Sequence, residues 1–439
     1  MVEADEDTGA RAVACVAVTS SAEIEGRARA RVGGATAPDD VGVGAPVDAP
    51  LCSPLPLGRS EREARKKWKG EQYEHHGLYV LREFLRSHFD ERGLKRLHGS
   101  CLRYYWQYRH SETGATKLCP GCCHERAICP HCAVNYGKER GAEVGSLFQA
   151  LFEQGRLLGA VPTVKAFADV FTLPEFVSEA LDNFCEARDK KSLRGAVKEL
   201  TEALKRTLMR FYGSGMAAKV SWHWWHSSKP LTGAHWHAHV MVPNIVDTGA
   251  GHEVLRARGM LSAEQLQALK ALWAEQVSGC RFVVALGESV PAELTVNHRF
   301  LTQNKGRASL AHRARYDYRH PMQDFAAFTE KHGLPELDAP GLAWFLDRCE
   351  FLQGVQLVRA VGWLSNSKLK KIGLERAEPE NDGWVKDEGV VFELEYFDDH
   401  GARFVAFYPL LGRSASRWFP RESVQLLARP KPRSYRWAG

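Results

Sequence analysis

The sequence predicts an α+β protein, and three observations carry that prediction. A short strand, Ala168 to Leu173, leads into two amphipathic helices and then a β-hairpin. A Cys-dense stretch broken by Gly and Pro, Cys119 to Cys132, precedes this unit. Further β-rich runs follow it, near 355–363, 389–397 and 403–409. With 439 residues, the chain has room for two or three domains of roughly 100–200 residues each. Apolar residues at 44% and charged residues at 26% are ordinary for a globular protein.

Residues 1–57 are rich in Ala, Gly, Val, Asp and Pro and poor in aromatics, which predicts a disordered leader. From Arg59 the chain turns basic. The segment 58–155 reads as a basic helical region that contains the cysteine knuckle at 119–132. In its first part Leu78, Val80, Leu81, Phe84 and Leu85 supply a buried stripe. Trp68, Tyr104, Tyr105, Trp106 and Tyr108 lie among Lys and Arg up to Arg109. That mixture suits a single nucleic-acid strand, or equally a solvated helical face over core aromatics. Helical spacing returns from Val134 to Gln154.

The segment 156–335 reads as the core. The strand ends at Pro174, and helices follow over 175–187 and 192–211. The second carries the stripe Leu193, Val197, Leu200, Leu204, Leu208. Residues 217–225 and 235–242 form the two arms of the hairpin, joined by turn chemistry at 227–233. A helix is expected over 261–277, a strand over 281–286, and helix or tight turns over 308–332. The remainder, 336–439, reads as a β-rich region with a basic, aromatic tail.

Bulk properties narrow the class. No apolar run is long enough to span a bilayer, and the N-terminus lacks a basic and apolar signal pattern, so a cytoplasmic protein without membrane contact is expected. A net charge of +6 permits nucleic acid without diagnosing it. Eleven cysteines, an odd number, favour metal over disulfides in a reducing compartment.

Two clusters carry chemistry. Cys119-Pro-Gly-Cys122 and Cys129-Pro-His-Cys132 are paired CxxC motifs, read as a structural Zn²⁺ site. Six residues separate the pairs, a short gap, and Cys123, His124 and His131 offer substitute ligands. The second cluster is His235-Trp236-His237-Ala238-His239. Strand residues two apart share a face, so the three histidines project together as candidate ligands of one divalent ion. His223 on the partner arm is placed to reach the same face. The plain alternative is an ordinary strand that carries histidines.

His235 to Val242 resembles the second motif of the HUH endonucleases, the superfamily of rolling-circle plasmid replication initiators and rolling-circle insertion-sequence transposases. Trp236 and Ala238 depart from the usual residues. Phe171-Thr172-Leu173-Pro174 resembles the first motif, and Val361-Gly362-Trp363-Leu364-Ser365-Asn366 a downstream segment of the transposase branch. The resemblance implies an antiparallel sheet with flanking helices, with the histidines on a central strand. It implies His237 and His239 as metal ligands with His235 beside them, Mg²⁺ or Mn²⁺ at that site, and a tyrosine nucleophile. His312-Arg313-Ala314-Arg315-Tyr316 is the nearest match to the family's third motif. It makes Tyr316 the nucleophile with Tyr318 as runner-up, and Arg313 and Arg315 the DNA-binding cations. The implied function is a replication initiator that nicks and rejoins single-stranded origin DNA through a 5′-phosphotyrosine, with host helicase and polymerase as partners. A rolling-circle transposase acting at element ends is the alternative within the family. A zinc-dependent DNA-binding regulator is the alternative outside it.

Overall fold

In the computed structural model the described residues are 59–91, 101–157, 166–247, 252–254, 261–301, 310–371, 373–377, 383–408, 413–426 and 434–437. The leader expected over 1–57 lies outside them. The first described elements are α1 (Arg59–Glu91), β1 (Tyr104–His110), β2 (Thr116–Pro120) and α2 (Pro130–Leu157). The core follows as β3 (Ala166–Thr172), α3 (Glu175–Glu186), α4 (Lys190–Tyr212), β4 (Ala218–Trp225) and β5 (Ala234–Pro243). A small ribbon comes next, β6 (Ile245–Asp247) with β7 (His252–Val254). Then come α5 (Ala263–Ser278), α6 (Arg281–Leu286), β8 (Val296–Leu301), α7 (Leu310–Asp317), α8 (Pro321–His332), α9 (Pro340–Phe351), β9 (Val358–Val361) and α10 (Asn366–Lys371). The last strands are β10 (Leu374–Ala377), β11 (Trp384–Phe397), β12 (Gly401–Tyr408), β13 (Arg413–Pro420) and β14 (Ser434–Trp437).

The architecture is mixed α+β. One five-stranded antiparallel sheet runs β8-β3-β5-β4-β9, so the histidine strand β5 is central. Its faces are covered differently. Trp236, Ala238 and Val240 pack with the stripe of α4, where Leu193, Val197, Leu200, Leu204 and Leu208 are all buried. Asp189 starts that helix by accepting a hydrogen bond from Ser192 N at 2.9 Å. The other face packs on α2 and α7 through Ala166, Ala168, Met241, Leu147, Phe148, Leu310 and Ala314. Gly141 of α2 makes that packing close: a Cβ there would sit 2.7 Å from Arg315 Cα, so a side chain would push α7 off the sheet.

A second five-stranded sheet runs β13-β12-β11-β1-β2. Segments from both ends of the sequence therefore meet in one sheet. The remaining pair, β10 with β14, joins the basic tail to the body through Tyr435.

Two local expectations are corrected. Residues 281–286 form the short helix α6, not a strand. Only Val283 is buried and Val284 is 65% exposed, so no sheet edge rewards the β-branched residues. Residues 104–110, expected within a helical region, form β1. Their Tyr and Trp residues alternate between a buried and an open face.

Candidate metal centres and active site

The register of the central sheet builds the histidine site. His237 lies opposite His223 on β4 and opposite Thr172 on β3, while His239 lies opposite Ser221 and Val170. Candidate ligand atoms of His223, His237 and His239 lie within 4.8 Å of one another. The Phe171-Thr172-Leu173-Pro174 motif is thus the neighbouring rung of the histidine strand. The Val361-Gly362-Trp363 segment sits at the other edge, where Trp363 Nε1 donates to Gly215 O at 3.1 Å.

Hydrogen bonding decides which nitrogens face inward. His237 Nδ1 is 2.8 Å from His235 O, and a carbonyl only accepts, so Nδ1 carries the proton. His239 Nδ1 is 2.8 Å from Asp317 Oδ1. Arg313 Nη2 lies 3.2 Å from the same nitrogen, and since a guanidinium only donates, Nδ1 accepts in that contact. His223 Nε2 is 2.8 Å from Asp317 O and donates there, which leaves its Nδ1 to face the site. The Nε2 atoms of His237 and His239 lie 3.1 Å apart, within hydrogen-bond reach of each other. Bonds of about 2.0–2.1 Å put two cis nitrogens about 2.9–3.4 Å apart between octahedral and tetrahedral angles, which this spacing fits. His237 and His223 each turn their second nitrogen to a backbone carbonyl, the usual arrangement behind a metal-binding histidine, and Asp317 lies beside His239.

The protonation states agree. Burial, with neighbouring cationic groups, pushes His237 down to about 4 and His223 and His239 well below the ordinary histidine range, so all three are neutral near neutral pH. Burial pushes Asp317 up to about 7, opposed by Arg313 at 2.9 Å. His235 stays outside the trio. It is exposed, and its contribution is the carbonyl that orients His237.

The two candidate tyrosines separate. Tyr316 on α7 puts its ring 5.8 Å from that of His239, with the guanidinium of Arg319 3.6 Å and that of Arg313 5.1 Å from its ring centre. Tyr318, expected as runner-up, is buried in the core between the sheet and α2, and its hydroxyl finds no hydrogen-bond partner. Burial raises it well above the usual tyrosine range. Arg315 is exposed, whereas Arg313 turns inward to Asp317 and His239. Asp317 and Arg319 went unread in the sequence; their positions beside Tyr316 were the available signal.

A cleft of about 890 Å³ opens beside His223. Arg126, Arg140, Lys219, Arg319, Arg359 and Arg376 line it, against the single carboxylate of Glu143. Burial, reinforced by Arg376 and Arg140 against Glu143, lowers Lys219 to about 8. The cleft is short of negative charge.

The cysteines sort differently from their motifs. Sγ atoms of Cys101, Cys123, Cys129 and Cys132 lie within 4.8 Å of one another. Cys132 is 3.5 Å from Cys101 and 3.8 Å from Cys123. A tetrahedral ion with Zn–S bonds of about 2.3 Å sets sulfurs about 3.8 Å apart, so the four fit it. Hydrogen bonds from Cys101 and the other neighbouring thiols hold Cys132 far below the ordinary thiol range. Cys122 falls in a smaller group with His131 and Cys132. Cys119 belongs to neither group. It sits on β2 opposite Trp106, with its sulfur 3.8 Å from Gln425 Oε1. Of the four expected ligands, Cys129 and Cys132 are in the tetrad; Cys101 and Cys123 complete it.

Comparison with protein-family models, curated proteins and solved structures finds no match to this chain. Among the described residues no helix is long and apolar enough to cross a membrane.

Proposed function

We propose that this protein is a divalent-metal-dependent enzyme that nicks and rejoins single-stranded DNA, and serves as a rolling-circle replication initiator of the HUH type. One observation carries the reading: a tyrosine on α7 stands beside three neutral histidines whose ring nitrogens converge. His223, His237 and His239 would hold Mg²⁺ or Mn²⁺, which when bound supplies positive charge to the phosphate oxygens. Asp317 and the His235 carbonyl orient the rings. Arg319 and Arg313 flank Tyr316, where a phosphodiester would arrive. The basic cleft supplies charge for the strand on either side.

The step conserves atoms and electrons. The Tyr316 oxygen bonds to phosphorus and the P–O3′ bond breaks. The phenolic proton leaves to water, and the 3′ oxygen ends as a hydroxyl. Attack by a 3′-hydroxyl on the phosphotyrosine reverses it. The Cys101, Cys123, Cys129, Cys132 tetrad would hold Zn²⁺ as a structural ion.

The test is covalent capture. Purified protein, Mn²⁺ and single-stranded DNA carrying its own origin should give a protein–DNA adduct on a denaturing gel. Tyr316→Phe should remove the adduct, and Tyr318→Phe should keep it. An adduct that survives Tyr316→Phe sinks the assignment of the nucleophile. Origin binding with no adduct from the unmutated protein sinks the enzyme and favours a DNA-binding regulator.

A further inference from the structure

The sheet β13-β12-β11-β1-β2 has one buried and one open face. Tyr105, Phe392 and Phe404 point inward onto Trp68. Strand alternation and register put a different set outward. Trp106 lies opposite Cys119 and Val391; Tyr108 lies opposite Lys117 and Lys386; Arg403 lies between Tyr396 and Trp418. Residues more than 300 positions apart in sequence, Trp106 and Trp418, thus share one surface, about 19 Å wide at roughly 4.8 Å per strand spacing.

Two features of this face point to a ligand. Tyr396 and Trp418 are 48% and 44% exposed, with ring centres 6.1 Å apart. Exposed side-by-side aromatics are uncommon on a folded surface. Lysines are seated on the other rings: Lys386 Nζ lies 3.5 Å from the Trp106 ring centre and Lys117 Nζ 3.7 Å from that of Trp384. Such seating holds an ammonium at a set height over the sheet. Among the described residues Glu393 lies by Arg103 at 2.5 Å, Glu395 by Arg403 at 3.7 Å and Asp387 by Arg109 at 3.9 Å. A protein-binding patch would concentrate apolar residues and shed charge at its centre. This face alternates rings with cations, the pattern that serves a phosphodiester chain with unstacked bases.

We propose that this face is a second binding surface for single-stranded DNA, separate from the histidine site. Tyr396 and Trp418 stack bases, and Lys117 and Lys386 meet phosphates. A duplex keeps its base faces stacked away, so single strands bind better. The choice of DNA as the ligand rests on the proposed function; the binding surface itself does not.

The experiment uses the full chain in EDTA, which separates binding from nicking. Fluorescence anisotropy is read with labelled (dT)24, (rU)24 and a duplex of equal length. Tyr396→Ala with Trp418→Ala should weaken (dT)24 binding by about tenfold or more. Lys117→Gln with Lys386→Gln should flatten the slope of log affinity against log salt by about 1.4. Val284→Ser, an equally exposed change on α6, should leave both unchanged. All variants are checked for an unaltered melting midpoint; if the aromatic pair misfolds, the lysine pair decides. Unchanged (dT)24 binding in both double variants overturns the proposal. So does tighter binding of (rU)24 or duplex, or a dimer that the aromatic variant dissociates. A wild type that forms no covalent adduct sinks the proposed function but leaves this result standing.

Discussion

The histidine site and the cysteine cluster are both candidate metal centres, yet they were unequally legible. Two histidine ligands lie two residues apart on one strand, and the third is on its hairpin partner. The strand period of two places His237 and His239 on one face before any tertiary contact is known, and the hairpin register brings His223 to it. The cysteine tetrad instead joins Cys101, ahead of β1, to a loop residue and the start of α2. No local period relates those positions. The pairing of β1 with β2 sends Cys119 to the open face beside Trp106, so half of one CxxC motif is drawn away. Ligands held within one hairpin can be read from spacing; ligands gathered from loops cannot.

That contrast can be broken or sharpened by experiment, beginning with the largest effect. Cys101→Ser should remove the structural ion and destabilise the fold by several kcal/mol, against about 10 kcal/mol for a whole structural zinc site. Metal analysis with denaturant unfolding would read both. One zinc per chain at unchanged stability would restore the CxxC pairs as the ligand set.

Next is acid sensitivity near the cysteine cluster. His75 is buried, with its Nε2 3.2 Å from Leu102 O and 3.1 Å from Tyr105 Oη. Burial lowers it to about 4. Below the unfolded value of about 6.5 the unfolded chain takes up a proton that the folded chain refuses. Stability from neutral His75 is therefore complete above about pH 6.5 and is lost as pH falls towards 4, by about 3 kcal/mol in total. Urea unfolding of wild type and His75→Phe at several pH values should show this extra slope in wild type alone. Parallel slopes would remove His75 from the account.

Asp317→Asn tests the histidine centre. Losing the carboxylate behind His239 should weaken Mn²⁺ binding by about 10–100-fold, measured by titration of the metal. Unchanged affinity would mean that His239 is not a ligand. The smallest effect belongs to Cys119→Ser, for which zinc content and melting midpoint should match wild type. Loss of zinc in that variant would put Cys119 back among the ligands.

Much of the fold could be anticipated where one element imposes its own period. The α4 stripe from Leu193 to Leu208 is buried as its spacing predicts, and β5 lies at the centre of an antiparallel sheet with helices on both faces. The motif ranked Tyr316 ahead of Tyr318, but the position of its ring relative to the histidines was not legible. A helix places neighbours two apart on different faces, and only the packing of α7 on α2 shows which face meets the histidines.

The sequence by itself determined the α+β class, the shared face of His237 and His239, and a metal-suited cysteine density, because each follows from local period or composition. Tertiary structure decided the rest. It grouped Cys101 rather than Cys119 with the other cysteines, put Tyr316 rather than Tyr318 beside His239, and set Asp317 behind His239. It also brought Trp106 and Lys117 onto one face with Lys386, Tyr396 and Trp418. Those choices depend on strand pairing and helix packing between distant segments, whose free energy comes from burying surface that no single segment can bury alone.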